Sequence, residues 1–109
     1  MTRDPRYDVL FEPIKIGPVT ARNRFYQVPH CAGLGHRYPF ANAEHRKIKA
    51  EGGWAVVCTE ESEIHHTSEI SPALESRIWD ENEIPALQLL TDGVHKHGGL
   101  AGIELVYIG

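Results

Sequence analysis

Cys31 is placed where a thiol could do chemistry. It follows the segment Phe25-Tyr26-Gln27-Val28, whose residues are typical of a β-strand. Pro29 has no backbone N–H to donate to a neighbouring strand, so the strand is predicted to stop there and His30 and Cys31 to lie in the loop that follows. An ionised thiol in such a loop is a nucleophile. A free cysteine is also often a small apolar residue of the core, and position alone favours that role for Cys31.

Glutamates follow or interrupt the two other strand-like segments. Glu60 and Glu61 come directly after the apolar residues 54–58, and Glu104 interrupts the apolar residues 100–107. A carboxylate inside a buried strand is costly unless a donor meets it, so Glu104 is expected to contact a bound group or a basic residue elsewhere in the fold. At least one of Glu60 and Glu61 should face the end of the sheet, but a solvated loop charge is an equal interpretation of Glu61.

Two close groups of histidines, His65-His66 and His95-Lys96-His97, raise the question of a metal site. Neither has the spacing of three or four residues that places two ligands on one face of a helix. The two cysteines, Cys31 and Cys58, are also far apart and lack the close spacing of zinc or iron-sulfur ligands. We therefore expect no metal site, and Cys58, inside its apolar segment, is predicted to be a packed core residue.

Strand and helix signals alternate along the chain. Asn42 and Asn82 are predicted to cap two helices, Pro85 fits the first turn of the second, and Gly52-Gly53 and Gly98-Gly99 are typical of helix ends. The elements predicted in chain order are a peripheral hairpin over 11–20, a strand over 25–28, a loop over 32–40, a helix over 43–51, a strand over 54–58 that finishes at 59–61, an irregular stretch over 62–80, a helix from 82 with the apolar stripe Ile84, Leu87, Leu90 (or Thr91) and Val94, and a strand over 100–107.

This order of elements predicts two crossover units and hence a parallel α/β sheet. Three parallel strands cannot close a barrel, and a (β/α)₈ TIM barrel takes about 250 residues. The chain of 109 residues is therefore interpreted as the N-terminal portion of such a barrel. Residues 1–109 would form one partial domain with the first three parallel strands and two helices. A self-contained binding module is the alternative, but its outer strands would present unpaired apolar edges.

Composition and charge exclude several classes of protein. Hydrophobic residues make up 41% of the chain and charged residues 24%, as in ordinary globular proteins rather than disordered ones. The net charge is -4, and no basic cluster is available to neutralise nucleic-acid phosphates. No apolar stretch approaches the roughly 20 residues that span a bilayer. The polar N-terminus does not resemble a signal peptide, so a cytoplasmic location is expected, without nucleic-acid or membrane partners.

Several segments spread along the chain occur together in one superfamily: Leu10-Phe11-Glu12-Pro13-Ile14, Ala21-Arg22-Asn23-Arg24-Phe25, Pro29, Glu51-Gly52-Gly53-Trp54-Ala55, Val94-His95-Lys96-His97-Gly98 and Ile103-Glu104-Leu105. This set resembles the old yellow enzyme superfamily over essentially the whole chain. A second set is similar to the amine dehydrogenase branch, which contains trimethylamine, dimethylamine and histamine dehydrogenases. Its segments are 25–31, 49–54 and Arg77-Ile78-Trp79-Asp80.

The resemblance implies a flavin site. In the amine dehydrogenase branch, FMN lies at the mouth of the barrel and is attached through its C6 position to a cysteine in a Pro-His-Cys motif. By resemblance, Pro29, His30 and Cys31 would bind FMN, with a thioether to Cys31 and with His30 in either a supporting or a purely structural role. Glu104 would contact the pyrimidine ring of the flavin, and Glu61 would also lie at the cofactor. No catalytic acid or base is expected within these residues.

The resemblance also implies a substrate site, with departures from the branch. Glu61 stands where trimethylamine and dimethylamine dehydrogenases carry an aromatic residue that holds a methylated ammonium by cation-π attraction. Val106 stands where they carry a tryptophan, while Tyr107 keeps the neighbouring aromatic ring. We therefore expect Glu61, Val106 and Tyr107 to bind a primary amine such as histamine rather than a tertiary amine.

The function implied is oxidation of a histamine-like or methylated amine to an imine and then an aldehyde, by hydride transfer to covalently bound FMN, with an electron-transfer protein as acceptor. The residues 1–109 alone would be inactive, since a four-iron four-sulfur cluster, an ADP site and the acid-base groups are expected only outside them. A homodimer is expected of the whole enzyme. The alternatives are an ene-reductase or NADH:flavin oxidoreductase with non-covalent FMN, and a non-catalytic fragment.

Overall fold

A parallel sheet with two helices packed on one of its faces makes up the fold. The computed structural model describes residues 2–68 and 75–109. The elements are a 3-10 helix (Pro5–Phe11), β1 (Ile14–Ile16), β2 (Val19–Ala21), β3 (Tyr26–Gln27), α1 (Pro39–Glu51), β4 (Val56–Glu63), β5 (Ser76–Arg77), a 3-10 turn (Glu81–Glu83), α2 (Ile84–Lys96) and β6 (Leu100–Val106).

β4 is the central strand of the sheet. β3 pairs with it in parallel through Tyr26 opposite Val56, and β6 pairs with it on the other side through Val56 opposite Leu100. The short β5 pairs in parallel with the end of β4, with Ser76 opposite Ser62. The predicted parallel α/β order is therefore confirmed. The predicted hairpin is also confirmed, as the antiparallel pair β1 and β2.

Both faces of β4 are buried, which explains why its sequence lacks a polar alternation. Val57 packs with the helices in a cluster whose other buried members are Ala43, Ala50, Leu90 and Val94. Val56 and Cys58 point the other way and pack with Ala21 and Ala55. We call the sheet face that carries Val56 and Cys58 the open face, because none of the helices in residues 2–68 and 75–109 covers it. The predicted packing role of Cys58 agrees with its burial.

The start of α1 differs from the prediction. The helix begins at Pro39 after Tyr38, so the predicted loop ends at residue 38 and Asn42 lies inside the helix rather than at its cap. Proline suits the first turn because its fixed φ is already helical and no N–H is needed there. Asn42 is buried, and its side-chain oxygen accepts a hydrogen bond from the Arg46 Nε at 3.3 Å. A buried arginine therefore takes the oxygen that was predicted to cap the helix.

The start of α2 also differs. The Asp80 carboxylate accepts a hydrogen bond from the Asn82 N–H at 2.8 Å, so Asp80 caps the preceding 3-10 turn and the predicted cap at Asn82 is wrong. Pro85 lies in the first turn as predicted. Of the predicted stripe, Leu90 and Val94 are buried and Ile84 is exposed. The rest of the buried face of α2 consists of small residues, Ala86 and Gly93, which allow α1 to approach closely.

The observed strands begin or end a few residues away from the predicted bounds. β3 is shorter than the predicted strand over 25–28, and β6 ends at Val106, one residue before the prediction. β4 extends to Glu63, and β5 lies within the stretch that was predicted to be irregular; of that stretch, residues 69–74 lie outside the described residues. Pairing with β5 on one side and with the end of β6 on the other accounts for the extension of β4. Among the residues described, no helix has both the length and the apolar character needed to cross a membrane.

Gly102 of β6 is required by the packing of Cys58. A Cβ atom at position 102 would lie 2.7 Å from the Cys58 Sγ, closer than nonbonded atoms approach. The Cys58 thiol also lies 3.5 Å from the Tyr26 hydroxyl, to which it donates a hydrogen bond. The side chains of Tyr26 and Cys58 and the backbone of Gly102, from three neighbouring strands, therefore meet at this point on the open face.

Gly102→Ala is expected to lower the free energy of unfolding by about 1–3 kcal/mol, the usual cost of an extra methyl group in a packed site. Adding Cys58→Ala should recover most of that loss, because the two changes share one contact. Chemical denaturation of the protein that carries this chain measures both variants.

Gly52→Ala is the matched control for this experiment. Gly52 has a helical φ of -70°, and the nearest atoms to an added Cβ lie 3.5 Å away. Its effect should stay within about 0.5 kcal/mol. If Gly102→Ala costs the same with and without Cys58→Ala, the clash with sulfur is not the cause.

Candidate functional site

Cys31 lies exposed in the loop that follows β3, as predicted. Its thiol sulfur, one carboxylate oxygen of Glu61 and one of Glu75 lie within 4.8 Å of one another. The pKa of the thiol is raised, first by partial desolvation of the sulfur and then by the negative charges of Glu61, Glu75 and Glu60, whereas a hydrogen bond from the Glu61 backbone N–H lowers it. The carboxylates thus oppose ionisation of Cys31, and the backbone of Glu61 favours it.

A β-bulge in β4 sends the neighbouring glutamates Glu60 and Glu61 to different places. Cys58 is opposite Gly102 and Glu61 is opposite Glu104. Between these two pairs β4 advances by three residues and β6 by two, so β4 contains one extra residue. A bulge of this kind re-aims the side chains next to it. Glu61 is half-buried beside Cys31, while Glu60 is fully buried. The sequence could not predict which of the two faces the loop, because the extra residue changes the alternation.

Glu60 binds the backbone of the Cys31 loop. Its Oε1 accepts hydrogen bonds from the N–H groups of Ala32 and Leu34, both at 3.2 Å. Within the described part of the chain its other oxygen, Oε2, has no hydrogen-bond partner. Gly35 packs against the same carboxylate, since a Cβ there would lie 2.9 Å from Oε2 and 2.4 Å from the Ser76 Oγ. The loop therefore rests directly on Glu60 and on β5.

Arg46 is a site residue that sequence analysis missed. It is fully buried on α1 and donates hydrogen bonds to the His30 carbonyl oxygen, to the Gln27 Oε1 at 3.3 Å and to the Asn42 Oδ1 at 3.3 Å. Burial lowers the pKa of Arg46, and the negative charge of Glu60 opposes that change. One signal was present in the sequence: Gln27 is a polar residue within a strand, which needs a partner once the strand is buried.

The other residues predicted to contact the cofactor differ in how exposed they are. Pro29 is half-buried and the His30 ring is exposed, while the His30 carbonyl is held by Arg46. Glu104 is exposed, so its predicted burial in the strand is wrong for this chain. Glu104 follows Gly102 by two residues and so points to the open face. It is exposed because β6 pairs only with β4 among the described strands, and the residues on either side of Glu104 are exposed as well. The contact of Glu104 with the flavin stays a prediction.

The residues predicted for substrate contact lie at the carboxyl ends of β4 and β6. Val106 is opposite Glu63 and half-buried, and its carbonyl accepts from the Ile64 N–H at 3.1 Å. Tyr107 is exposed, and its hydroxyl lies 3.2 Å from the Thr67 Oγ1. The register of β4 and β6 therefore puts Glu61, Val106 and Tyr107 at the same edge of the sheet.

Segments beyond these two strands are also joined. The Ile108 N–H donates to the Ser68 Oγ at 3.1 Å, next to the contact between Thr67 and Tyr107. The rings of His65 and His66 stack with centroids 4.4 Å apart. Among the described residues, the group of side chains close enough to share an ion is the one around Cys31 rather than either histidine group, and the expectation of no metal stays a prediction.

The surroundings of Cys31 generate a prediction about its reactivity. Thiol alkylation requires the thiolate, so a raised pKa makes alkylation of Cys31 slow at neutral pH and faster as pH rises past the usual cysteine range. In protein prepared without flavin, Glu61→Gln removes one negative charge and keeps the backbone donor. It should therefore lower the midpoint of the alkylation-versus-pH curve of Cys31, measured by mass spectrometry of the peptide.

Glu104→Gln is the control, because Glu104 is absent from the causes of the raised Cys31 pKa. It removes the same charge from the strand opposite Glu61 and should leave the midpoint nearly unchanged. Equal shifts in both variants would show that overall charge, and not the contact with Glu61, governs the thiol.

Comparison with known proteins places this geometry in a family. Residues 9–109 match the NADH:flavin oxidoreductase / NADH oxidase family. The chain is 52% identical over its full 109 residues to dimethylamine dehydrogenase of Hyphomicrobium sp. (strain x), of which it spans 15%.

Two solved structures are also similar. Histamine dehydrogenase from Rhizobium sp. 4-9 is 57% identical and superposes with a TM-score of 0.93 over 98% of this chain and 16% of its own. The 6-hydroxypseudooxynicotine amine oxidase of Pseudomonas geniculata N1 is 48% identical, with a TM-score of 0.91 over 99% of this chain and 16% of its own. The predicted start of a TIM barrel is thereby confirmed. The chain spans about a sixth of the length of these relatives, and it belongs to the NADH:flavin oxidoreductase / NADH oxidase family.

Proposed function

We propose that the protein is an FMN-dependent amine dehydrogenase in which Cys31 carries the flavin as a thioether. The observation that carries the proposal is the position of Cys31: an exposed thiol in the loop that follows the first parallel strand. Active sites of (β/α)₈ barrels lie at the carboxyl ends of the strands. The identity to a dimethylamine dehydrogenase and a histamine dehydrogenase supports an amine as the substrate.

The residues present fit a flavin. The thiol is accessible, none of the helices in the described part of the chain lies over the open face of the sheet, and Glu104 presents a carboxylate there. A carboxylate accepts hydrogen bonds only, which suits the N–H group of a flavin pyrimidine ring. Pro29 and His30 would contribute the backbone that leads to Cys31, and Glu61 would lie beside the attachment point.

FMN, when bound, would accept a hydride equivalent from the amine, and water would then release the aldehyde and ammonia from the imine. Attachment forms a bond between the Cys31 sulfur and C6 of the ring. The thiol proton and the C6 proton leave to solvent, and the electron pair goes to the electron-transfer protein that accepts electrons in turnover. Since the thiolate is the attacking form, the raised pKa of Cys31 makes attachment faster at alkaline pH.

Glu61 is the residue of this chain proposed to select the substrate. Its carboxylate lies with that of Glu75 at the edge of the sheet where Val106 and Tyr107 also end. Negative charge and N–H acceptors at this edge favour an amine with N–H groups or a second cationic centre, as in histamine. A tertiary methylated amine offers fewer hydrogen-bond donors to a carboxylate.

The remaining parts of the enzyme are proposals about residues outside this chain. They comprise the acid-base groups, a four-iron four-sulfur cluster and an ADP site, in a homodimer that passes electrons to a protein acceptor. The chain itself supplies the first strands of the barrel and one side of the flavin site, so it is proposed to be inactive alone.

Acid denaturation of the complete enzyme tests the thioether. Flavin should stay with the protein, and mass spectrometry should find FMN on the peptide that contains Cys31. Cys31→Ala should release all of its FMN on denaturation. Cys58→Ala is the control and should keep the covalent flavin, because Cys58 is buried in the sheet. Free FMN from the unaltered enzyme would instead support a reductase with non-covalent flavin.

Steady-state kinetics of Glu61→Gln tests the substrate site. Loss of the carboxylate should lower kcat/KM for histamine about tenfold, which corresponds to about 1.4 kcal/mol. The value for trimethylamine, a tertiary amine, should change much less. Glu61→Tyr, which introduces an aromatic ring, should raise the preference for trimethylamine over histamine by cation-π attraction. Equal losses for both amines would contradict a role in selection.

A further inference from the structure

Two fully buried charged residues hold the backbone on either side of Cys31. Arg46 donates to the carbonyl oxygen of His30, and Glu60 accepts from the N–H groups of Ala32 and Leu34. Both side chains are 0% exposed. Neither touches solvent, so neither can contact a substrate directly.

We propose that Arg46 and Glu60 are positioning residues that fix the loop over residues 30–34 and thereby keep the Cys31 thiol in the one orientation from which it bonds to the flavin. This inference rests on the proposed function, because it concerns the attachment of FMN to Cys31. It adds two residues that act through the loop rather than on the cofactor or the amine.

The loop needs such contacts because its own sequence does not define a conformation. The residues from Pro29 to Tyr38 form no helix or strand. Gly33 has a φ of +72° within this loop, a conformation that side chains rarely adopt. Conformational freedom of this kind costs free energy to remove, and hydrogen bonds from rigid elements are one way to remove it.

Both residues are anchored on rigid elements. Arg46 is held on α1 by the Asn42 side chain and is bonded to Gln27 of β3. Glu60 lies in the bulge of β4. The two charged side chains therefore hold the loop at a fixed position relative to α1, β3 and β4.

The energetics of burial also favour a positioning role over a purely stabilising one. Removing charges from water costs several kcal/mol per ion, and well-packed apolar residues often stabilise a fold equally well. The opposite charges of Arg46 and Glu60 offset part of that cost. What apolar residues cannot supply is directional bonding to a carbonyl on one side of Cys31 and to two N–H groups on the other.

Arg22, which follows β2 of the hairpin, provides a matched control. Its guanidinium also bonds to backbone carbonyls, those of His97 at 2.5 Å, Ala50 at 3.0 Å and Trp54 at 3.3 Å. These acceptors lie at the ends of α1 and α2 and at the start of β4, opposite the edge that carries Cys31. Loss of Arg22 should destabilise the fold without disturbing the loop.

The experiment compares Arg46→Met, Glu60→Ala and Arg22→Met in the complete enzyme. The covalent fraction of FMN after acid denaturation should fall at least about fivefold in the first two and stay unchanged in Arg22→Met, even where the loss in Tm is similar. Glu60→Gln keeps the accepting oxygen and should restore most of the covalent fraction. This rescue would show that the oxygen of Glu60 acts by accepting the two hydrogen bonds and not through its charge.

Amide hydrogen exchange in flavin-free protein gives a second measurement that does not depend on the cofactor. Exchange in the peptide over residues 30–35 should speed up about tenfold in Glu60→Ala and Arg46→Met, but not in Arg22→Met. Should Arg46→Met fail to fold, Arg46→Lys replaces it, since one ammonium cannot reproduce three separate hydrogen bonds.

The two proposals fail in different ways. Release of free FMN from the unaltered enzyme would contradict the proposed thioether. Hydrogen exchange would still decide whether Arg46 and Glu60 fix the loop. If the covalent fraction follows Tm in all variants, Arg22→Met included, or if the loop exchanges at the same rate in all of them, Arg46 and Glu60 are not positioning residues.

Discussion

Parallel pairing along β4 is the constraint on which the rest of the structure depends. Because β3, β4 and β6 run in the same direction, the segments that leave them come out at one edge of the sheet. Cys31, Glu61 and Tyr107 are far apart in sequence but share this edge. The register also determines what can face them: the extra residue in β4 leaves Glu61 beside the thiol and turns Glu60 under the loop. Without the bulge, the side chains of β4 would alternate between the two faces in a different register. Glu61 could then not lie beside the thiol while Glu60 binds the loop.

Two arginines join the elements at the two edges of this sheet. Arg22 bonds to carbonyls at the ends of both helices, whereas Arg46 is buried on α1 and bonds to the loop after β3. Helix ends leave carbonyl groups without helical partners, and an arginine with several donors can satisfy more than one of them. The same chemistry therefore serves structure at one edge, and at the other edge is proposed to serve the cofactor.

The sequence predicted the order of the elements well, because long apolar segments and glycine pairs identify buried strands and helix ends. It also predicted the loop position of Cys31 from a single proline. It failed where the outcome depended on tertiary contacts. The Asn42 side chain accepts a hydrogen bond from a buried arginine instead of capping the helix. Glu104 is exposed because β6 pairs only with β4 among the described strands. Arg46 and the bulge at Glu60 were missed, since neither a buried arginine in a polar helix nor an extra strand residue leaves a periodic signal.

A hydrogen bond between the Thr67 and Tyr107 hydroxyls and one from the Ile108 N–H to the Ser68 Oγ join the segment after β4 to the segment after β6. A shift in either segment must be accommodated by the other, because both contacts bridge 40 residues of sequence. Directed evolution at this edge would therefore sample Thr67 and Ser68 together with Tyr107 in one combinatorial library. Screening them singly would miss compensating pairs.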